Sequence, residues 1–357
     1  MQGLSAANIK KLDKSKMLDL LLDFPLQCRM AQELAAGASI LFSKRDFQKI
    51  IFVGLGGSAI GADLVRTYLY FESKLPIQVV REYQLPDYVD SSTLVFILSY
   101  SGNTEETLGC YNQARKKGSS IIAVSSGGTL KDNCRRDNVT LVEIPGLLPP
   151  RSALGYLSIL PLVILARLGL IKDVSTSINK TIAALEELKN RKLKASIGAK
   201  DNIAKYVAAK LFNKFVIIYA GSIHFDVVAT RLRSQLNENS KSLAYASFFP
   251  EINHNEIVGW EHPKKIFKDL AVVLFRDKAL HPRIKQRMDI TKEIITKEGV
   301  SVIEIYTEGE DLLSQIFSLI YIGDFISLYL AILYGVDPTP VARVTYLKKR
   351  LAKGLEI

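Results

Sequence analysis

The chain has 357 residues, of which 48% are hydrophobic and 23% charged, and Lys and Arg outnumber Asp and Glu by 47 to 36. This apolar share excludes a disordered chain, and the length suggests two domains rather than one. The three cysteines are widely separated and the four histidines form no H-E-x-x-H pair, so the sequence contains neither a disulfide framework nor a metal signature. We therefore expect no bound metal.

The net charge of +11 is compatible with nucleic acid or small anions as partners. The basic residues, however, are scattered in short pairs, and the longest cationic run, at 348–350, has no interleaved aromatic residues. This pattern indicates a solvated basic surface, and we expect no nucleic-acid partner. The longest apolar stretch, around 154–165, is interrupted and too short to span a bilayer, so we expect no membrane association. The N-terminus lacks a signal-peptide core, which predicts a cytoplasmic protein.

Helices are predicted first along the chain. Residues 5–48 carry apolar side chains at helical spacing, which indicates two or three amphipathic helices. Short apolar strands follow, and they are predicted at 50–53, 77–80, 93–99, 120–125 and 138–144. Continuous apolar strands that alternate with helices of about ten residues or more imply a parallel sheet covered on both faces.

The second half of the chain repeats this arrangement. An apolar helical stretch at 149–170 and helices rich in Lys and Glu precede a new strand–glycine–helix unit at 214–236. In each unit an arginine, Arg66 or Arg231, follows the Gly-Ser turn by about nine residues. Further strands are predicted at 270–275 and 300–306. The fold class is therefore α/β, with two tandem domains, 1–172 and 173–357, each a mainly parallel, doubly wound sheet of flavodoxin-like type.

A glycine turn follows the first strand. Gly54-x-Gly56-x-x-Ala59 satisfies the dinucleotide-binding fingerprint, and Glu82 ends the next strand, where an acid would bind a ribose. This pattern alone is compatible with an NAD-dependent dehydrogenase. It is also compatible with a turn that binds another anion, or with a tight turn that binds nothing.

A second loop, Ser99-Tyr100-Ser101-Gly102-Asn103-Thr104, also ends a predicted strand and opens a helix. The hydroxyls of Ser99, Ser101 and Thr104, together with the N–H groups of the helix N-terminus, suit a phosphate monoester. The alternative is helix capping, either by Ser101 or by a box of Asn103 and Glu106. Capping needs one hydroxyl and this loop offers three, so we favour a phosphate site.

The two loops together resemble the SIS (sugar isomerase) domain. Further segments resemble the archaeal and bacterial bifunctional phosphoglucose/phosphomannose isomerase family, from about residue 50 to the C-terminus. These segments are Gly56-Gly57-Ser58, the P-P-R-S-A-L-G-Y run at 149–156, N-E-N-S-K at 237–241, P-E-I-N-H-N-E-I-V-G at 250–259, and D-P-T-P-V at 337–341 leading to Leu347-Lys348. The resemblance implies two SIS domains, the first binding phosphate and the second carrying the catalytic residues and a C-terminal helix.

The resemblance also implies an activity and a set of site residues. The expected reaction interconverts glucose 6-phosphate and fructose 6-phosphate, and mannose 6-phosphate and fructose 6-phosphate, through a cis-enediol(ate), with no metal and no cofactor. The expected substrate-binding residues are Gly56, Gly57, Ser58, Ser99, Ser101, Thr104, Arg151 and Lys348. Glu238 corresponds to the catalytic base, and Arg151 to a cation facing the enediolate oxygen. His254 corresponds to a ring-opening acid/base that reaches the neighbouring subunit's site in a homodimer.

By pattern alone these residues remain ambiguous. Glu238 ends a predicted helix, where a solvated charge is the more usual case, and a lone histidine such as His254 is more often structural. A non-catalytic SIS protein that binds a sugar phosphate and regulates transcription is the main alternative. It leaves Glu238 and His254 unexplained, and no helix-turn-helix is evident before Lys49.

Overall fold

Three short helices begin the chain in the computed structural model, which describes residues 2–42, 46–278 and 280–352. They are α1 (Ala6–Leu12), α2 (Met17–Leu22) and α3 (Phe24–Gly37). The side chain of Ser5 accepts a hydrogen bond from the backbone N–H of Asn8 and so caps α1. The prediction of two or three amphipathic helices in this region is confirmed.

The first sheet has five parallel strands: β1 (Lys49–Val53), β2 (Ile77–Val80), β3 (Thr93–Leu98), β4 (Ser120–Ser125) and β5 (Thr140–Glu143). Their order is β2-β1-β3-β4-β5, which is the flavodoxin-like order. Helices α4 (Gly57–Tyr68), α5 (Glu105–Lys116) and α6 (Gly128–Arg136) connect them. Every residue of β3 and β4 is buried, as continuous apolar strands predict.

Helices connect the two sheets. They are α7 (Leu154–Arg167), α8 (Ser175–Leu188) with a π-helical turn at Lys189–Leu193, and α9 (Ile203–Leu211). Helix α7 packs against both α3 and α4, and α8 packs against α3. Helix α7 thereby lies beside the glycine turn that precedes α4.

The second sheet has four parallel strands: β6 (Phe215–Gly221), β7 (Ala244–Phe249), β8 (Leu270–Arg276) and β9 (Ser301–Tyr306). The order β7-β6-β8-β9 repeats that of the first four strands of the first sheet, and α10 (Asp226–Glu238) and α11 (Pro282–Lys297) connect them. Two parallel α/β domains are therefore confirmed. Strand β7 is missing from the sequence-based prediction because it lies at the edge of the sheet, where only Phe249 is buried.

A long apolar helix, α12 (Leu312–Leu333), corrects the prediction that the longest apolar stretch lies at 154–165. Among the described residues, α12 is the one helix long and apolar enough to cross a membrane, with a mean hydropathy of 2.1. However, 94% of its most apolar window is buried inside the fold, where it packs against α8, α9 and α10. Such burial is typical of a core helix. The last helix, α13 (Ala342–Ala352), is exposed.

Candidate active site

The glycine turn after β1 positions the start of α4. Gly56 adopts φ 53° and ψ −123°, a combination that only glycine adopts readily. A Cβ on Gly57 would lie 2.9 Å from the carbonyl oxygen of Pro150 and 3.1 Å from the Cα of Arg151. The first turn of α4 therefore lies directly against the backbone segment that contains Arg151.

The hydroxyl-rich loop after β3 lies beside this turn. The Ser58 hydroxyl accepts a hydrogen bond from the Tyr100 N–H at 3.4 Å, and the Ser99 hydroxyl donates to the Thr104 hydroxyl at 3.2 Å. Thr104 is the N-cap residue of α5, and within the described residues no side chain caps that helix. The Ser101 hydroxyl accepts from the Asn103 N–H, outside the helix. The capping interpretation of Ser101 is therefore wrong.

The loop after β4 holds the hydroxyl-rich loop in place. The Asn103 side-chain oxygen accepts hydrogen bonds from the N–H and the hydroxyl of Thr129 at 2.9 and 3.0 Å, so Asn103 forms no capping box. Gly102 has a φ of 69°, and a Cβ there would clash with the Gly127 carbonyl. The Ser126 hydroxyl donates to the carbonyl of Tyr100 at 2.7 Å. These supporting residues were not singled out in the sequence, although S-S-G-G-T at 125–129 was a visible signal.

Arg151 lies in a 3-10 turn at Pro150–Ser152 and is only 4% exposed. Its Nε donates to the Asn239 side-chain oxygen at 2.6 Å, and its Nη1 lies 3.4 Å from the Glu238 carboxylate. Its Nη2 donates to the carbonyls of Pro338 and Thr339 at 3.0 and 2.8 Å. A guanidinium has five N–H donors, so one on Nη1 has no partner among the described residues.

A second buried arginine supports Arg151. Arg231 donates to the Arg151 carbonyl at 2.9 Å and forms an ion pair with Asp324 of α12, with N–O distances of 3.0 and 2.7 Å. Gln235 also donates to the Asp324 carboxylate. Burial lowers the pKa of Arg151, and the charge of Arg231 lowers it further, whereas Glu238 opposes both. Asp324 was missed in the sequence, although a lone acid in an apolar helix signals a buried partner.

Glu238 is the last residue of α10, and its side chain is 36% exposed. Lys241 follows it with a φ of 58°, and its Nζ donates to the carbonyls of Glu238, Asn239 and Pro338 at 2.5, 3.2 and 3.0 Å. A cavity of about 690 Å³ opens beside them. It is lined by Asn237, Glu238, Lys241, Ser242, Leu243 and residues 340–344. The Glu238 carboxylate is therefore accessible from this cavity.

These contacts join the hydroxyl-rich loop to Glu238. The Tyr100 N–H contacts Ser58, Gly57 contacts Arg151, and Arg151 pairs with Glu238. Eight of the predicted site residues therefore lie in one continuous region of the described structure. They are Gly56, Gly57, Ser58, Ser99, Ser101, Thr104, Arg151 and Glu238.

His254 and Lys348 are not part of this region in one chain. His254 is exposed in a 3-10 turn, and Lys348 is exposed on α13. Across residues 2–42, 46–278 and 280–352, neither side chain forms a hydrogen bond or ion pair with Glu238. The polar residues around His254 hold its turn instead: Asn253 donates to the Thr291 hydroxyl, Asn255 to Glu251, and Glu256 accepts from Tyr219.

The chain is similar to known proteins over most of its length. The model of the bacterial phospho-glucose isomerase C-terminal SIS domain matches residues 200–351. A Caldicellulosiruptor bescii protein named bifunctional phosphoglucose/phosphomannose isomerase is 44% identical over 337 residues, which are 94% of this chain and 99% of that protein. The chain belongs to this isomerase family. The family member named likewise from Aquifex aeolicus is 34% identical and covers 86% of this chain and 91% of its own.

A solved structure with the same fold is also known. A hypothetical protein from Thermus thermophilus superimposes with a TM-score of 0.77 at 16% identity, over 98% of this chain and 94% of its own. At this identity the match shows a shared fold only. The isomerase family and the paired α/β domains expected from the sequence are thus both confirmed.

Proposed function

We propose that this protein is a phosphohexose isomerase that interconverts glucose 6-phosphate, mannose 6-phosphate and fructose 6-phosphate without a metal. The observation that carries the proposal is the position of Glu238. Its carboxylate lies at the wall of a large cavity, pairs with a buried arginine, and belongs to the same region as the hydroxyl-rich loop. Membership of the bifunctional isomerase family supports the same substrates.

The phosphate binds at the hydroxyl-rich loop. Ser58, Ser101 and Thr104 supply hydroxyl donors, and Ser99, whose hydroxyl donates to that of Thr104, orients the Thr104 hydroxyl. The uncapped first turn of α5 supplies backbone N–H groups and the positive end of the helix dipole. The backbone at Gly56 and Gly57 lies beside these hydroxyls. The dehydrogenase alternative leaves this arrangement without a use, so the glycine turn is assigned to the phosphosugar.

Glu238 transfers the proton between C2 and C1. Its carboxylate removes the C2 proton from the open-chain aldose, and the electron pair forms the C1–C2 double bond of the enediolate. The C1=O electron pair moves onto O1, which becomes the enediolate oxyanion. The same carboxylic acid then returns the proton to C1, and the proton of the C2 hydroxyl passes to O1, which gives the ketose. The Nη1 N–H of Arg151 that has no partner in the described part of the chain stabilises the developing oxyanion. One base acts on both C2 epimers, which gives both activities.

Ring opening needs an acid/base that the main cluster lacks. We assign it to His254 of the partner subunit in a homodimer. Two observations support this: His254 is exposed, and its neighbours hold its turn firmly while leaving the imidazole outward. Lys348 is assigned to a contact with the ring or C1 oxygen, because the first residues of α13 line the same cavity as Glu238.

A coupled assay with the three hexose 6-phosphates, with and without EDTA, tests the proposal. We expect interconversion of all three in EDTA, and Glu238→Gln should lower kcat by about 10²–10⁴-fold for both epimers. Glu298→Gln is the matched control, because Glu298 also lies at the end of a helix and pairs with a lysine, Lys264, at 3.0 Å. Its kcat should stay unchanged. Sugar-phosphate binding without turnover would favour the regulatory alternative.

Mixing of two inactive variants tests the origin of His254. In a heterodimer of Glu238→Gln and His254→Asn chains, one site contains both substituted residues and the other contains wild-type Glu238 and wild-type His254. Random pairing makes about half of the dimers mixed, so activity should recover towards about a quarter of wild type. The control is each variant mixed with itself. No recovery despite proven subunit exchange would place both residues in one chain.

A further inference from the structure

Lys241 forms an unusual set of contacts next to Glu238. Its left-handed backbone turns the side chain back so that Nζ meets the carbonyls of Glu238 and Asn239, at the C-terminal end of α10. Such carbonyls have no partner within the helix, and a cation there is favourable. The third N–H of the ammonium reaches the Pro338 carbonyl at 3.0 Å. All three donors of Lys241 are therefore occupied by backbone oxygens.

The Pro338 carbonyl is a shared acceptor. It receives hydrogen bonds from both Lys241 and Arg151, each at 3.0 Å, and Arg151 also pairs with Glu238. The two cations thus fasten the segment 337–341 to the end of α10. Glu238 carries a negative charge at the negative end of a helix, where a carboxylate is disfavoured. The charges of Lys241 and Arg151 offset that cost.

We propose that Lys241 is a positioning residue for the base. Its ammonium holds the last turn of α10 and the segment 337–341 at a fixed distance from each other, so that the Glu238 carboxylate stays at the cavity wall. Lys241 has no N–H left for substrate, so it acts through Glu238 and not on the sugar. The inference rests on the proposed role of Glu238 as the base.

The charge of Lys241 is sensitive to pH. Burial lowers its pKa to about 8, and the nearby Arg151 contributes to this shift, while Asp337 and Glu238 oppose it. These three groups face Lys241 from the 3-10 turn before α7, from the segment 337–341 and from α10. A neutral amine has two N–H donors in place of three, so the fastening weakens above about pH 8. We expect kcat to fall over the same range.

Three variants test the inference. Lys241→Met removes all three hydrogen bonds, whereas Lys241→Arg keeps a cation that does not titrate in this range. The matched control is Lys205→Met. Lys205 also donates to two backbone carbonyls, those of Ala195 and Ile197, and its pKa is also lowered by burial, but it lies away from the cavity. Each variant is assayed for kcat, KM and thermal stability between pH 6.5 and 9.5.

A misplaced catalytic group costs about 10²-fold in rate. Lys241→Met should therefore lower kcat by about 10–100-fold and change KM less than threefold, because the hydroxyl-rich loop is untouched. Lys241→Arg should recover part of the kcat and lose the fall above pH 8. Lys205→Met should lose stability and keep the wild-type pH profile. A Lys241→Met enzyme with wild-type kcat, or with reduced kcat and an unchanged pH profile, would overturn the inference.

Hydrogen exchange without substrate provides a second measurement. The backbone N–H of Thr339 bonds to the Asp337 carboxylate, and that of Thr345 to the Val341 carbonyl. Both should exchange faster in Lys241→Met and at the wild-type rate in Lys205→Met. Unchanged exchange in Lys241→Met would refute the fastening, even if the wild-type protein fails to isomerise hexose phosphates. If the wild-type protein fails to isomerise hexose 6-phosphates, the proposed function is refuted, and hydrogen exchange alone decides whether Lys241 fastens the segment 337–341.

Discussion

The buried ion pair of Arg231 and Asp324 links the core to the candidate site, and Asp324→Asn perturbs it without changing volume. Both side chains are almost fully buried, at 4% and 3% exposed. The substitution removes the negative charge and turns an amide N–H towards the guanidinium. It leaves Arg231 as an uncompensated buried cation, and breaking a buried pair in this way costs about 3–5 kcal/mol.

The same substitution should also lower the rate of catalysis at the candidate site. Arg231 donates to the Arg151 carbonyl at 2.9 Å, and Arg151 holds Glu238. A displaced Arg231 therefore shifts Glu238, the proposed base. We expect kcat to fall several-fold with KM for fructose 6-phosphate nearly unchanged, because Asp324 touches neither the hydroxyl-rich loop nor the cavity wall.

Urea unfolding at pH 7 measures the loss of stability, and steady-state kinetics below the unfolding transition measure the loss of rate. Asp289→Asn is the control, since Asp289 pairs with Arg276 at 2.6 Å but is 68% exposed. An exposed pair of this kind contributes about 0–1 kcal/mol. The reasoning is refuted if Asp324→Asn costs no more than Asp289→Asn, or if it loses stability while kcat stays at the wild-type value.

Three further predictions concern the site. The double variant Ser101→Ala with Thr104→Ala should mainly raise KM, by about 1.5–3 kcal/mol in binding free energy per hydrogen bond lost to the phosphate, and unchanged kinetics would exclude this loop. Gly57→Ala should lower the free energy of unfolding in urea by about 1–3 kcal/mol, because the new Cβ would press on the Pro150 carbonyl. Wild-type stability of this variant would contradict the prediction and show that the backbone moves to make room. Burial lowers the pKa of Lys241 in the folded protein to about 8, below its ordinary value of 10.5. Between these two pH values the unfolded chain binds more protons than the folded one, so the free energy of unfolding of the wild type should rise with pH relative to that of Lys241→Met. A stability difference that shrinks over pH 8–10 in urea unfolding would contradict the sign.

Much of the candidate site was predictable because it follows local rules. The hydroxyls of Ser99, Ser101 and Thr104 stand where a parallel strand ends and a helix begins, and that position predicts an anion site from sequence alone. The resemblance assigned Glu238 and Arg151 together, and the structure has them 3.4 Å apart. The roles of His254 and Lys348 stay predictions, since a single chain holds both side chains away from Glu238.

The alternation of apolar strands with helices already decides the α/β class and the parallel sheets, because burial on both faces leaves a local pattern in the chain. Edge strand β7 escapes that pattern, since a half-exposed strand needs few apolar residues. The network of Asp324, Arg231 and Lys241 depends on residues brought together from distant parts of the chain. Their charges find partners only after α10, α12 and the segment 337–341 have packed, and no local spacing encodes which carbonyl or carboxylate each will meet.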